Sequence, residues 1–275
     1  MIQDSVPHLD TIKARQKANW EAGDFGQVAR FSMPAAEEFM ARLPLRPGMR
    51  VLDVACGSGN LAIVAARAGC IVSGLDIASN LIAQARERAR HEGLFVDFHE
   101  GDVEAMPLPD ARFDLVVSMF GVMFAPRPSA AAAELTRVTK SGGLIALANW
   151  TPQGFIGKMF DVYRCHLPPQ PGLPSPLLWG EEATVREHFS GSMGDVEFHR
   201  RIARMCYPFG PAETVDFFRQ YYGPTQRAFA ALELASQAAL HRDLVELQTT
   251  HNRATRPKET VVEAEYLEVR ARKPA

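Results

Sequence analysis

The chain of 275 residues has no run of eighteen apolar residues, so no helix is expected to cross a membrane. Its opening, Met1-Ile2-Gln3-Asp4-Ser5, lacks the basic and apolar regions of a secretory leader, and a cytoplasmic location is the expectation. Cysteine is scarce. Cys56, Cys70, Cys165 and Cys206 are scattered with no C-x-x-C, which excludes a disulfide framework or a cysteine-based zinc site and implies reduced thiols. An excess of charge is missing too. The 30 basic and 32 acidic side chains leave a net charge of −2, which gives no electrostatic footprint for nucleic acid. There is no repeat period and no low-complexity tail.

What the chain does have is apolar residues, 47% of the total, enough for one large α/β domain with insertions or for two small ones. The stretch from Val51 to Asn60, VLDVACGSGN, organises the rest. Val51, Leu52 and Val54 read as a buried strand. Gly57 and Gly59 permit a tight turn and close backbone approach to a ligand. Asn60 is the expected N-cap of a helix over Leu61 to Arg67, stopped near Gly69. A strand feeding a helix N-terminus through glycines is a ligand-binding edge of an α/β sheet.

The glycines alone do not choose the ligand, because Gly57 to Ala62 also fits the loose dinucleotide pattern G-x-G-x-x-G/A. Asp53 tips the balance. A carboxylate at that strand end would repel a pyrophosphate and would suit an ammonium group. The stretch resembles motif I of class I S-adenosylmethionine (SAM)-dependent methyltransferases, roughly D/E-x-G-x-G-x-G, with Ala55 standing where the first glycine is usual. It is most similar to the ubiquinone/menaquinone-type (UbiE-like, methyltransferase 11) group. The resemblance assigns SAM contacts to Asp53, Ala55, Cys56, Gly57, Ser58 and Gly59.

Later stretches extend it. Ile71 to Leu75 is a second strand ending in Asp76, whose distance from the glycine turn suits an acid that accepts from both ribose hydroxyls. This matches the family's motif II. Ile77 could lie against adenine. Ser79 is expected to cap a helix with Leu81, Ile82, Ala85 and Ala89 on its inner face and Arg86, Arg88 and Arg90 on its wet side. A third strand is expected over Phe95 to Phe98. The following GDVEAMPLP, from Gly101, resembles motif III and implies that Asp102 and Val103 meet the adenine, with Glu104 alongside. Arg112 to Ser118 is a central fourth strand, and its apolar exit from Met119 to Pro126 is motif IV territory. Ser118, Met119 and Phe120 are cofactor candidates there. The D/N-P-P-Y/F of DNA-amine methyltransferases is absent. A helix from Pro128, a Gly142-Gly143 stop and a fifth strand over Leu144 to Ala148 resemble motifs V and VI, so the likeness runs in order over residues 48–150.

The resemblance implies a Rossmann-like seven-stranded sheet of order 3-2-1-4-5-7-6, last strand antiparallel, with helical lid and cap insertions. Residues 1–47 would be a lid: a helix over 9–21, a break at Gly23 to Gly26, then a helix from Pro34 to about Leu43. Trp20, Phe25 and Phe31 either close over bound SAM or dock these helices on the core. Residues 48–275 would form the SAM-binding domain, with substrate caps at about 151–195 and 210–258. In the first cap a helix over 154–166 precedes a loop stiffened by Pro168, Pro169, Pro171, Pro174 and Pro176. A strand over Arg201 to Tyr207, two helices flanking Gly223-Pro224 and a last strand over 261–270 complete the expectation.

The implied function is methyl transfer from SAM, leaving S-adenosylhomocysteine, to a small, partly hydrophobic acceptor, with no metal. Proximity supplies most of the catalysis, and a base is needed only if the acceptor must lose a proton. His166 and Tyr222 are the candidate bases. Phe120, Met123, Trp150, Trp179 and Tyr222 are expected to wall the acceptor; alternatively they bury the cap on the core. A SAM-binding protein that does not methylate is a second reading. A nicotinamide-dependent oxidoreductase is a third, weakened by the lack of a Y-x-x-x-K pair.

Overall fold

The computed structural model describes residues 9–168 and 173–275; the opening pentapeptide and Pro169 and Pro171 lie outside them. Helix α1 (Leu9–Glu21), the short α2 (Phe25–Ala29) and α3 (Met33–Ala41) come first. The α/β core then alternates β1 (Arg50–Val54), α4 (Asn60–Arg67), β2 (Ile71–Asp76), α5 (Ser79–His91), β3 (Val96–Glu100), β4 (Phe113–Met119), α6 (Pro128–Val138) and β5 (Thr139–Trp150). Beyond it lie α7 (Phe155–His166), a 3-10 turn over Pro176–Gly180, α8 (Glu182–His188), β6 (Val196–Tyr207), α9 (Pro211–Tyr221), α10 (Gly223–Ala230), α11 (Leu234–His251) and β7 (Thr260–Arg272).

The strands form one sheet of order β3-β2-β1-β4-β5-β7-β6, as the family resemblance implies. β1 pairs in parallel with β2 on one edge and β4 on the other, and Val51 to Val54 are buried on both faces, which is why the strand is apolar but for Asp53. The chain winds outward from β1 to β3 and then returns to place β4 on the other side of β1. That reversal leaves a crevice at the carboxyl ends of β1 and β4, where open α/β sheets bind ligands. β7 runs antiparallel between β5 and β6, with Trp150 opposite Tyr266.

Several elements differ from the sequence expectation. The N-cap position of α4 is Gly59 at φ +85°, not Asn60, which is already helical and donates its side-chain amide to the Ala29 carbonyl. Likewise Ala78 precedes α5; the Ser79 hydroxyl donates to Glu21 instead of capping. β5 starts at Thr139 and passes through Gly142-Gly143, where the register against β4 shifts. The expected break at Gly223-Pro224 falls between α9 and α10, with Gly223-Pro224 forming the first turn of α10, but a further break at Ala231 to Glu233 yields three helices where two were expected. α8 and the first half of β6 had no signal. β6 is an edge strand whose outward face is polar, so only its second half alternates clearly.

Candidate functional site

The carboxyl ends of β1 to β4 open into a cavity of about 1060 Å³ measured out to its mouth. Its floor is the loop after β1. Ala55 and Gly57 take left-handed conformations, φ +54° and +53°, which turn the chain so that successive backbone groups face the cavity. Across the floor Gly121 approaches so closely that a Cβ there would sit 2.7 Å from the Ala55 carbonyl oxygen. From behind, Arg88 of α5 donates to the Ser58 carbonyl (2.6 Å) and to Asn60 Oδ1 (2.8 Å). Arg88 therefore leaves the wet face assigned to it and braces the loop; Arg86 also reaches back, to the Phe98 carbonyl.

Three carboxylates line this cavity, each at the end of a successive strand. Asp53 is buried and accepts the Ala62 N–H at 2.9 Å. Burial, with the Asp76 charge adding to it and that N–H opposing, pushes its pKa up to about 8. Asp76 accepts Gly57 N–H (2.8 Å) and Ala78 N–H (2.9 Å) on its two oxygens, tying the floor to the end of β2; burial outweighs these bonds and raises its pKa. Asp102 accepts Glu104 N–H at 2.8 Å and pairs with Lys13 of α1. Burial opposes the Lys13 charge, but the hydrogen bonds to Asp102 and Glu104 outweigh it and its pKa lies above the ordinary lysine value.

Cys56, Ser58, Ile77, Leu81, Val103, Met119, Phe120, Trp20 and Phe25 line the same cavity. Three expected contacts do not. Gly59 faces α5 and β3, 3.2 Å from Ala85 at its would-be Cβ. The Glu104 side chain is fully buried and ion-paired with Lys13 (2.6 Å) and Arg127 (2.8 Å). The Ser118 hydroxyl donates to the Val54 carbonyl and accepts from Val122 N–H, stitching β4 to β1. Lys13, Gln16, Asn60 and Phe124 line the cavity without having been expected.

A second cavity, about 1740 Å³ out to its mouth, lies between α1, α7, α10 and residues 173–176. It shares Gln16, Trp20, Phe124, Ala125 and Pro126 with the first. Trp20 is the partition: its ring stands edge-on to Phe25 (5.6 Å), Phe124 (5.0 Å) and Tyr222 (6.0 Å). Gln16 donates to the Phe124 carbonyl at 2.6 Å and ties α1 to this wall.

The expected acceptor wall divides. Met123 and Tyr222 line the second cavity and Phe120 the first. Trp150 lines neither, because it stacks flat on Phe120. Trp179 is fully buried against His188 and Phe189, a core side chain. His166 also lines neither cavity; its Nε2 lies 2.7 Å from Asp243 between α7 and α11. Phe31 docks the N-terminal helices on Tyr207, Phe209 and Phe217, whereas Trp20 and Phe25 face the cavity. Among the described residues no group of three His, Cys, Asp or Glu could hold a metal ion, and no helix is long and apolar enough to cross a membrane.

The family described as "Methyltransferase domain" matches residues 52–147, which supply most of the first cavity's lining. An uncharacterized protein of Mycobacterium tuberculosis is 38% identical over 271 residues, 96% of either chain. A malonyl-[acyl-carrier protein] O-methyltransferase of Pectobacterium atrosepticum is 33% identical over 127 residues, 46% of this chain and 49% of that one. Two solved structures share the fold. The [4+2]-cyclase SpnF has a TM-score of 0.58 at 23% identity, covering 93% of this chain and 85% of its own. Phosphoethanolamine N-methyltransferase 2 of Haemonchus contortus, solved with S-adenosylhomocysteine, has a TM-score of 0.57 at 19% identity, covering 88% and 53%. With motifs, sheet order and family match in agreement, the chain belongs to the class I SAM-dependent methyltransferases.

Proposed function

We propose that this methyltransferase holds SAM in the first cavity and a small, partly hydrophobic acceptor in the second, and that the residues common to both are where the reactants meet. The observation that carries the reading is the shared wall of Gln16, Trp20, Phe124, Ala125 and Pro126.

The donor set fits SAM part by part. Asp53 would pair with the ammonium, Asp76 would accept from the ribose hydroxyls through its remaining lone pairs, and Asp102 with the Val103 backbone would meet the adenine. Cys56, Gly57 and Ser58 would supply the close backbone around it, with Ile77 and Leu81 against its flat faces and Met119 and Phe120 along the exit of β4. When bound, SAM supplies a methyl group already activated on a sulfonium. The chain's own task is then alignment and exclusion of water. Trp20 and Phe25 close the cavity from the lid side. Tyr222 keeps its proton, because burial raises its pKa above the ordinary phenol value. It can donate a hydrogen bond to an acceptor but cannot serve as a base near neutral pH. With His166 turned to Asp243, positioning carries the catalysis.

Titration calorimetry with SAM, S-adenosylhomocysteine and NAD tests the cofactor assignment, and a methyl-release assay over a metabolite library tests the acceptor. Asp76→Ala is expected to weaken SAM binding by about 2–4 kcal/mol, since each hydrogen bond to a charged partner contributes about 1.5–3 kcal/mol. Saturable NAD binding without a SAM signal would overturn the reading.

A further inference from the structure

The second cavity has an asymmetric chemistry. Most of its lining is apolar, from Met123, Met159 and Phe160 to Leu167 and Leu173. Among the described residues, no aspartate or glutamate lines it, yet Arg164 and Arg227 do. Arg164 is paired with Asp161, which lies outside the lining. Arg227 forms no ion pair with a carboxylate among the described residues; its guanidinium donates to the Ala18 carbonyl of α1 at 3.3 Å. An unneutralised guanidinium beside an apolar hollow is a recognition element for an anion, since its planar fork matches a carboxylate or phosphate and is weakly hydrated for a cation. The neutral groups reinforce the sign. The Tyr163 hydroxyl is shared with Thr225 at 2.7 Å, and burial holds both Tyr163 and Tyr222 in the protonated form, so these phenols add no negative charge near neutral pH.

We infer that the acceptor is an apolar acid: an aromatic or aliphatic body in the second cavity with an anionic head toward Arg227. Cationic acceptors such as amines are disfavoured there, since no carboxylate in the described lining offsets Arg227. The inference rests on the two-cavity reading above and adds the charge of the substrate.

The test uses the protein saturated with S-adenosylhomocysteine and three matched probes: 4-phenylbutanoate, 4-phenylbutan-1-ol and 4-phenylbutylamine. Calorimetry is expected to show the acid binding about five- to tenfold more tightly than the alcohol, the difference of one charge-assisted contact, and the amine more weakly than either. Arg227→Gln is expected to bring the acid within about twofold of the alcohol while the alcohol's affinity and the melting temperature stay unchanged. Arg227→Lys should retain part of the preference. An amine that binds as well as the acid, or an acid preference untouched by Arg227→Gln, overturns the inference while leaving the cavity as the acceptor site. If none of the three probes binds, the two-cavity reading falls with it.

Discussion

The ring of Phe120 lies flat on that of Trp150, centroids 3.4 Å apart and planes 10° apart, while the Phe120 backbone is held at φ +59°. Tyr266 meets both rings edge-on. A bulky residue in the left-handed region stores about 1–3 kcal/mol of strain, so the surrounding packing must hold it there. Trp150→Ala is expected to free the ring, lower stability by about 3–5 kcal/mol and weaken SAM binding together. Trp150→Phe, which keeps a flat partner, should restore the binding. Thermal melts paired with SAM titration read both effects, and unchanged SAM affinity in Trp150→Ala would show that the stack does not shape the cofactor cavity.

Trp179 provides the opposite case. It is fully buried and away from both cavities, so Trp179→Ala should cost about 3–5 kcal/mol of stability and leave the acceptor KM of the folded fraction as it was. A KM raised severalfold with little loss of stability would return Trp179 to the acceptor wall.

Asp53 predicts a pH dependence. In the unliganded protein its pKa is about 8, far above its unfolded value of 3.8, so the native state binds the extra proton between these limits. Stability of the unliganded chain should therefore fall as pH rises through that window. An ammonium ligand favours the ionised carboxylate. SAM affinity should thus rise by up to about tenfold per pH unit below pH 8, and flatten near it as the ligand's own α-amino group, of pKa about 8, begins to lose its charge. Calorimetry at pH 7 in buffers of different ionisation enthalpy should show release of about one proton per SAM bound. Asp53→Asn should abolish that release; if the release persists, the proton comes from elsewhere.

The floor loop gives a pair of backbone predictions. Ala55 pays for its left-handed φ where glycine would not, so Ala55→Gly should be neutral to about 1 kcal/mol stabilising once glycine's extra chain entropy is counted. Gly121→Ala meets both the Ala55 Cβ (2.6 Å) and the Ala55 carbonyl oxygen (2.7 Å) and should be destabilising, with only partial rescue by Ala55→Gly because the clash with the carbonyl remains. Urea melts of the two single variants and the double variant decide it. A Gly121→Ala variant of wild-type stability would mean that the exit of β4 can back away from the floor.

Lys13 bridges Asp102 and the buried Glu104, and Lys17 of the same helix pairs with Glu100. Lys13→Met should loosen α1 at the end of β3, where Lys17 still pairs with Glu100, seen as faster amide exchange across Leu9–Glu21 and a SAM dissociation rate about tenfold higher that responds less to salt. Exchange identical to wild type would show that α1 is held by its apolar face alone.

The sheet and most of the first cavity were legible because ligand chemistry dictates residue types at strand ends. Asp53, Asp76 and Asp102 stand at three such ends, each with a recognisable neighbourhood. The same logic misplaced Glu104 and Ser118. A carboxylate or hydroxyl in the right register can serve the ligand or the scaffold, and partners distant in sequence, Lys13 and Arg127 for one and Val54 for the other, decide which. The second cavity was not legible as a unit. Its wall is drawn from α1, the exit of β4, α7, residues 173–176 and α10, and no local pattern marks segments that meet only in three dimensions. Arg88 escaped for a similar reason. Its helical position is that of a solvated side chain, and only the docking of α5 behind the floor loop gives its guanidinium carbonyls to bind.

The position of β7 between β5 and β6 has a consequence for synthesis. Among the described residues β6 pairs with β7 alone, and β7 also covers the outer side of β5. While the ribosome makes the roughly fifty residues between Tyr207 and Thr260, on the order of 3–10 s at 5–20 residues per second, both strands wait with open edges. The nascent chain is therefore most vulnerable to pairing with a neighbour on the same polysome during that interval, after β1 to β5 have been made.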